Sequence, residues 1–104
     1  MIHFGPKGPL VKLNFEWDET KAADNCRKHR VSFKEGVTVF GDPFSITIDD
    51  PDHSRDEQRY IDIGTSETGR VLVVSYTERG DSIRIISCRK ATRNERIRYE
   101  EGID

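Results

Sequence analysis

The chain has 104 residues, of which 34% are hydrophobic and 35% charged, and its formal net charge is -2. This length is enough for one compact core and excludes two independent domains. The net charge excludes a uniformly basic nucleic-acid-binding protein. However, eight Lys or Arg residues stand against three acids between Arg70 and Arg98, which predicts a locally basic surface.

The N-terminal segment predicts an arm followed by a strand. Residues 1–10 contain two Gly and two Pro and are expected to form a flexible arm. Residues 11–104 then remain as a single domain. From Val11 to Trp17, apolar and polar residues alternate, which is the pattern of a half-buried strand.

Two helices are predicted next. Asp18 is a favourable N-cap for a charged helix that runs to Arg30. Ser32, with Glu35 three residues later, is the capping-box pattern of a second helix. The Gly-Asp-Pro sequence at 41–43 is expected to end that helix.

The second half of the chain predicts four strands and a final helix. Residues 44–49 alternate as a strand, and a polar loop separates them from another strand at 58–64. Residues 70–90 form a β-rich hairpin, and Thr92 opens a helix through about Glu101 with a second capping box. The predicted fold is α+β, in the order β-α-α-β-β-β-β-α. We expect an antiparallel sheet with the first two helices on one face and a partly open second face.

The register of the central hairpin decides which residues share a face. A two-residue loop at Gly80-Asp81 makes three cross-strand pairs, namely Arg79 with Ser82, Thr77 with Arg84, and Ser75 with Ile86. The other face then collects the apolar residues Leu72, Val74, Tyr76, Ile83 and Ile85. One more loop residue would instead join Arg79 and Thr77 with Ser87 and Arg89. The two-residue loop separates polar from apolar residues better, so it is preferred.

The cysteines and the hydropathy give no sign of a metal site or a membrane segment. Cys26 and Cys88 are isolated, without a CxxC motif or the Cys/His spacing of a zinc site. No disulfide, metal or cofactor is therefore predicted. No apolar run approaches the ~20 residues that span a bilayer, and the start of the chain has no signal-peptide pattern. A cytoplasmic domain without a membrane partner is expected.

Three motifs follow one another at a specific spacing. They are WD-x-x-K-A at 17–22, KH-x-VSF at 28–33 and RIIS-x-R-x-A at 84–91. Together with VFGDPF and DHSRDEQRYIDIG between them, they resemble the BrnT toxins of bacterial type II toxin–antitoxin modules, over about residues 14–101. Cys88 and Lys90 depart from the more usual RIISARRA, but neither change removes Arg84 or Arg89.

This resemblance implies a RelE-like fold and a ribonuclease that inhibits translation. It also implies a BrnA-type antitoxin with a ribbon-helix-helix DNA-binding domain. Toxin and antitoxin of this family typically repress their own operon together, so operator DNA is expected to be bound only through the antitoxin. RNA cleavage without a metal uses the 2′-hydroxyl of the substrate as nucleophile. The protein must orient it, stabilise a phosphorane-like transition state and assist proton transfer.

The candidate site residues follow from this chemistry. Arginine suits the charged transition state because its planar fork binds phosphate oxygens bidentately. The phosphate-binding set is predicted to be Arg59, Arg79, Arg84 and Arg89, with Ser87 bonding a phosphate or holding an arginine. Glu57 shares a strand face with Arg59 and is the first choice for a base, although it could merely orient Arg59. His53, in the preceding loop, is the second choice.

Two other functions fit the same residues. Arg and Glu that alternate on exposed strands usually form a solvated face. The open edges of a sheet also invite a partner segment, so the chain could be a partner-binding module without catalysis. Alternatively, it could bind RNA through the basic face for affinity alone, with salt-dependent retention and no cleavage.

Overall fold

The computed structural model describes residues 13–53 and 55–102, so the arm predicted at 1–10 lies outside the described part of the chain. The elements follow the predicted order. They are β1 (Asn14–Glu16), α1 (Glu19–His29), α2 (Phe33–Val37), β2 (Ile46–Asp49), β3 (Arg59–Thr65), β4 (Val71–Arg79), β5 (Ser82–Lys90) and α3 (Arg93–Glu101). Short 3-10 turns follow α2 at Thr38–Gly41 and β2 at Pro51–His53.

The five strands form one sheet in the order β1-β5-β4-β3-β2. Strands β2 to β5 are the predicted antiparallel meander. The expectation of a wholly antiparallel sheet is corrected at β1, which runs parallel to β5 and pairs only with its first three residues. The α1 and α2 helices separate β1 from β2 and pack against β5, so the chain crosses the sheet before the meander begins. The β5 strand therefore extends beyond β1, its neighbour on that side in the described part of the chain.

The hairpin begins in the predicted register and then departs from it. Arg79 faces Ser82 and Thr77 faces Arg84, as expected for the two-residue loop. Between Ser75 and Tyr76 the register shifts, and Ser75 faces Ser87 instead of Ile86. Ile86 is thus the extra residue of a β-bulge. Because side chains alternate along a strand, the bulge returns Ser87 and Arg89 to the face that carries Arg84.

Each face of the sheet has an apolar cluster. The larger one lies under α1 and α2 and includes the predicted apolar face of the hairpin, Leu72, Val74, Tyr76, Ile83 and Ile85. The smaller one, around Ile46, Ile63 and Val73, packs against Tyr99 of α3. The hydroxyl of Tyr99 donates to Asp42 Oδ2 at 2.5 Å, which fixes α3 over this cluster. The rest of the second face carries polar side chains.

Several element ends differ from the prediction. The second helix is shorter than expected, since a 3-10 turn completes it. Phe44 precedes β2 and is 77% exposed, whereas the sequence predicted it within that strand. The Oδ1 atom of Asp42 accepts a hydrogen bond from the Phe44 N–H at 2.9 Å and stabilises a turn there. No helix of the described residues is long and apolar enough to cross a membrane.

Glu35 binds the β3–β4 turn instead of completing the predicted capping box. Ser32 caps α2 as expected, accepting from the Glu35 N–H. The Glu35 carboxylate turns away to accept hydrogen bonds from Arg70, Ser66 and Thr68. The hydrogen bond from Arg70 is the main cause that lowers the pKa of Glu35 from 4.5 to about 2. Glu35 thereby ties α2 to the sheet.

This ion pair predicts an acid-sensitive contribution to stability. Because the pKa of Glu35 is lower in the folded protein than in the unfolded chain, the contribution is complete above about pH 4.5 and is lost as the pH falls toward 2. Across that window, we expect the unfolding free energy of the wild type to fall by about 2–3 kcal/mol more than that of Glu35→Gln. Urea unfolding at pH 2.5–6 measures it, with exposed Glu67→Gln as the control. Identical pH profiles for wild type and Glu35→Gln would contradict the assignment.

Candidate active site

A row of four polar residues crosses the face of the sheet opposite to α1 and α2. Glu16 of β1 faces Arg84 of β5, Arg84 faces Thr77 of β4, and Thr77 faces Arg59 of β3. Directly opposed residues in neighbouring strands point to the same side of a sheet. The pairing therefore brings Arg59 and Arg84 to either side of Thr77.

Arg84 is oriented by Glu16. Its Nη1 atom donates to Glu16 Oε2 at 3.0 Å, and the two side chains are 30% and 41% exposed. A guanidinium has several N–H donors in a rigid fork, and a single bond to Glu16 leaves others for an anion. Glu16 thus fixes the direction of Arg84 while the guanidinium stays accessible from solvent.

Thr77 anchors the middle of the row. It is 1% exposed, and its hydroxyl donates to the Gln58 carbonyl at 2.7 Å. This bond holds the backbone immediately before Arg59, at the start of β3. The position of Arg59 is therefore set by both the β3–β4 ladder and the Thr77 side chain.

Arg79 and Glu57 come together at the hairpin end of the same face. The Nη2 atom of Arg79 lies 3.6 Å from Glu57 Oε2, and the two side chains are 52% and 37% exposed. This contact directs the Glu57 carboxylate toward the end of β4. An exposed pair of this kind contributes little to stability, so its effect is on the direction of the carboxylate.

Glu57 and Arg59 also line an open cleft with His53. The cleft has a volume of about 260 Å³, and its lining residues are Asp52, His53, Arg55, Asp56, Glu57 and Arg59. The Nδ1 atom of His53 lies 3.0 Å from both carboxylate oxygens of Asp50. A carboxylate at Nδ1 favours the proton there and leaves Nε2 for a substrate. Both predicted candidates for proton transfer therefore lie in one cleft with Arg59.

Arg89 is bound differently from the other arginines. Its Nη1 and Nη2 atoms donate to the two carboxylate oxygens of Glu95 at 2.7 and 2.8 Å. Glu95 is also part of the capping box at Thr92, at the start of α3. Arg84 and Arg89 face Thr77 and Val73, four residues apart on β4, which is roughly 13 Å along the strand. Arg89 shares the face but is directed toward α3.

Ser87 lies between these two arginines along β5. It faces Ser75 across the bulge and is half-buried. The five predicted residues Arg59, Arg79, Arg84, Ser87 and Arg89 therefore share one side of the sheet. Arg79, Arg84 and Arg89 each have an acidic partner, and Glu57 is one of those partners.

The family assignment rests on most of this chain. Residues 17–95, which hold all of these side chains except Glu16, match the family model described as "Ribonuclease toxin, BrnT, of type II toxin-antitoxin system". The chain belongs to the BrnT family. Its fold is similar to the 1.1 Å crystal structure of the Brucella abortus ribonuclease toxin BrnT, with a TM-score of 0.61 and 20% sequence identity. That match covers 79% of this chain and 100% of the Brucella chain, and no curated protein sequence matches.

The candidate site contains two acidic residues that the sequence did not single out. Glu16 directly precedes the WD-x-x-K-A motif at 17–22, and only the parallel β1–β5 pairing brings it opposite Arg84. Asp50 belongs to a run of acids in a polar loop, with no pattern that selects it over Asp49 or Asp52. Among the described residues, no group of three or more His, Cys, Asp or Glu side chains is placed to hold a metal ion.

The Arg89–Glu95 pair predicts parallel effects in this BrnT-family chain. If Arg89 acts by holding α3, alanine at Arg89 should lower the unfolding free energy by about 1–2 kcal/mol, and alanine at Glu95 by somewhat more, because it also removes the hydrogen bond from the Thr92 N–H. The effects of both changes on RNA cleavage should be small. Thermal unfolding and initial cleavage rates measure this. A large loss of cleavage for Arg89→Ala beside normal cleavage for Glu95→Ala would instead mean that Arg89 contacts the substrate.

Proposed function

We propose that this chain is a metal-independent endoribonuclease that uses the substrate 2′-hydroxyl as nucleophile. The observation that carries the proposal is the position of Arg59. It shares a polar row with Arg84 and a cleft with Glu57 and His53. The groups proposed to bind phosphate and to transfer protons therefore adjoin one another at Arg59, which supports a transesterification of RNA. Membership of a ribonuclease toxin family supports the same activity.

In this mechanism, Arg59 and Arg84 bind the nonbridging oxygens of the scissile phosphate. Negative charge on these oxygens grows as the pentacoordinate transition state forms, so guanidinium groups fixed beforehand stabilise it more than the ground state. Arg79 holds the Glu57 carboxylate, and Ser87 donates a hydrogen bond to a phosphate oxygen near Arg84. Arg89 is a positioning residue that holds α3 through Glu95.

Glu57 and His53 divide the proton transfer. The Glu57 carboxylate takes the proton of the 2′-hydroxyl as its oxygen attacks phosphorus. The bond from phosphorus to the 5′-oxygen breaks, and the Nε2–H of a protonated His53 supplies the proton to that oxygen. Asp50 accepts the Nδ1–H and keeps the ring in place. The products are a 2′,3′-cyclic phosphate and a 5′-hydroxyl.

A substrate with sulfur at the leaving position tests this division. Both Glu57→Gln and His53→Asn should reduce cleavage of ordinary RNA by about 100-fold or more. An RNA with a bridging 5′-sulfur has a leaving group that needs no proton, so it should restore the rate of His53→Asn but not that of Glu57→Gln. Rescue of Glu57→Gln alone would reverse the two assignments.

The reaction class itself is tested with substrate analogues. Wild-type protein should cleave RNA in the presence of EDTA and leave a 2′,3′-cyclic phosphate end. A 2′-deoxy nucleotide at the cleavage position should block the reaction. Folded protein that leaves all RNA intact at high concentration would contradict the nuclease, and salt-dependent RNA retention without cleavage would indicate a binding protein. Activity that EDTA abolishes and magnesium restores would contradict metal independence.

We propose that the partner is a BrnA-type antitoxin with a ribbon-helix-helix domain. A toxin of a type II module has an antitoxin partner, which neutralises it by direct binding. Induction of the toxin alone should stop growth and translation, and coexpression of the antitoxin should restore both. Gel shifts should show operator binding by the antitoxin and by the complex, and none by the toxin alone. A tight complex around a toxin that never affects growth would favour a non-catalytic binding module.

A further inference from the structure

A groove separates α1 from the open edge of β5. The β1 strand ends at Glu16, which faces Arg84, so among residues 13–53 and 55–102 no strand pairs with β5 on that side beyond Arg84. The α1 helix takes this place. The buried side-chain amide of Asn25 donates to the Cys88 carbonyl at 2.8 Å and accepts from the Cys88 N–H at 3.1 Å. Asn25 thus continues the backbone ladder of β5 and fixes the floor of the groove.

The lining of the groove is basic and open to solvent. Its volume is about 250 Å³, and Lys21, Lys28 and His29 contribute to it from α1 while Ile86 and Ser87 contribute from β5. Lys21 and Lys28 form no salt bridge with any residue in 13–53 or 55–102. The single acid in the lining, Asp24, is paired with Arg27, which lies outside the lining. Two lysines therefore stand against one acid in the groove, and its lining has a net positive charge.

Ser87 joins the groove to the candidate active site. It lines the groove and also belongs to the polar face, one side-chain row from Arg84. That separation is roughly 7 Å along the strand. The β-bulge at Ile86 produces this connection because it brings Ser87 to the face of Arg84 at the edge of the sheet.

We propose that this groove binds the RNA phosphate next to the scissile one, through Lys21 and Lys28. The inference rests on the proposed ribonuclease function and deepens it. It gives the RNA strand a path from the polar row with Arg59 and Arg84, across the edge of β5, to α1. Lysine suits a flanking phosphate because its ammonium binds as a point charge without demanding a fixed orientation. A short electrostatic contact of this kind strengthens binding with little dependence on RNA sequence.

The test compares Lys21→Gln/Lys28→Gln with wild type and with Lys34→Gln, an exposed lysine on α2. The ligand is a single-stranded RNA made uncleavable by 2′-O-methyl groups, and binding is measured by fluorescence anisotropy between 50 and 200 mM salt. The double variant should bind about tenfold more weakly, and its plot of log affinity against log salt should be shallower by about 0.7, because one phosphate contact is lost. On cleavable RNA its KM should rise while kcat stays near wild type. Lys34→Gln should match wild type.

Two outcomes would overturn the proposal. One is an unchanged salt slope and affinity in the double variant, with thermal unfolding confirming that it is folded. The other is normal RNA binding together with weakened antitoxin binding, which would assign the groove to a protein partner. Failure of the ribonuclease function appears separately, as wild-type protein that binds the RNA analogue but cleaves no RNA.

Discussion

Alanine at Arg59 or at Arg84 is expected to reduce RNA cleavage by about 100- to 1,000-fold, the usual effect of removing one preorganised donor from a charged transition state. Both side chains lie on the surface of the sheet, and Thr77 between them is anchored by its own hydrogen bond to Gln58. The fold should therefore tolerate either change. Purified variants, single-turnover cleavage rates and thermal unfolding measure the two effects separately.

Two further substitutions test whether the loss depends on the guanidinium group and on its position. Lysine at Arg59 keeps the charge but loses the bidentate fork, so it should recover only part of the activity. Arg98→Ala, on the exposed surface of α3, removes the same charge away from the row and should stay within about twofold of wild type. In cells, the Arg59→Ala and Arg84→Ala toxins should no longer arrest growth. A fully toxic Arg84→Ala variant would remove Arg84 from the mechanism.

Gly36→Ala is expected to lower the unfolding free energy by about 3 kcal/mol, the upper part of the range for overpacked cores. A Cβ atom at this position of α2 would lie 2.2 Å from the Sγ atom of Cys88 and 3.6 Å from Val74. The backbone of Cys88 is held in place, since both its N–H and its carbonyl form hydrogen bonds with the side chain of Asn25. It is fully buried, and this burial raises the pKa of its thiol to about 12.

Gly41→Ala supplies the control, because a Cβ atom there would meet no atom within 4 Å. Urea unfolding should show little change for it. Adding Cys88→Ala to Gly36→Ala removes the sulfur that the new methyl group meets, so the double variant should be more stable than Gly36→Ala alone. Equal stability of the Gly36→Ala and Gly41→Ala proteins would show that α2 can shift away from β5.

The fold was largely predictable because local signals agreed with one another along the chain. Asp18 caps α1 and Thr92 caps α3, as the sequence indicated. The two-residue loop at Gly80-Asp81 also set the correct register for the first part of the hairpin. These features depend on neighbouring residues only. By contrast, the parallel pairing of β1 joins segments that are far apart in the sequence, and no local pattern encodes it.

For the site residues too, local patterns were predictable from the sequence and contacts between distant segments were not. Strand alternation was enough to place Arg59, Arg79 and Arg84 on one side, given the register. The grouping of Ser87 and Arg89 with them depends on the bulge, which alternating polarity alone does not reveal. In the preferred register these two residues would have faced the core. Glu16 required tertiary structure, because its partner Arg84 is 68 residues away in the sequence. Asp50 is only three residues from His53, but the sequence does not show which acid of the loop the turn brings to the ring.

The extra residue in β5 lets this strand lose one residue without losing its register. Substituting Ile86 should be tolerated, since it pairs with no residue of β4. Deleting it would remove the bulge and make Ser75–Ser87 the next pair after Tyr76–Ile85, so every later side chain would keep its face. Arg89 would still lie on the side of Arg84, and Cys88 would still face Gly36 and the apolar interior. A reading-frame-preserving loss of this one codon should therefore leave the sheet folded.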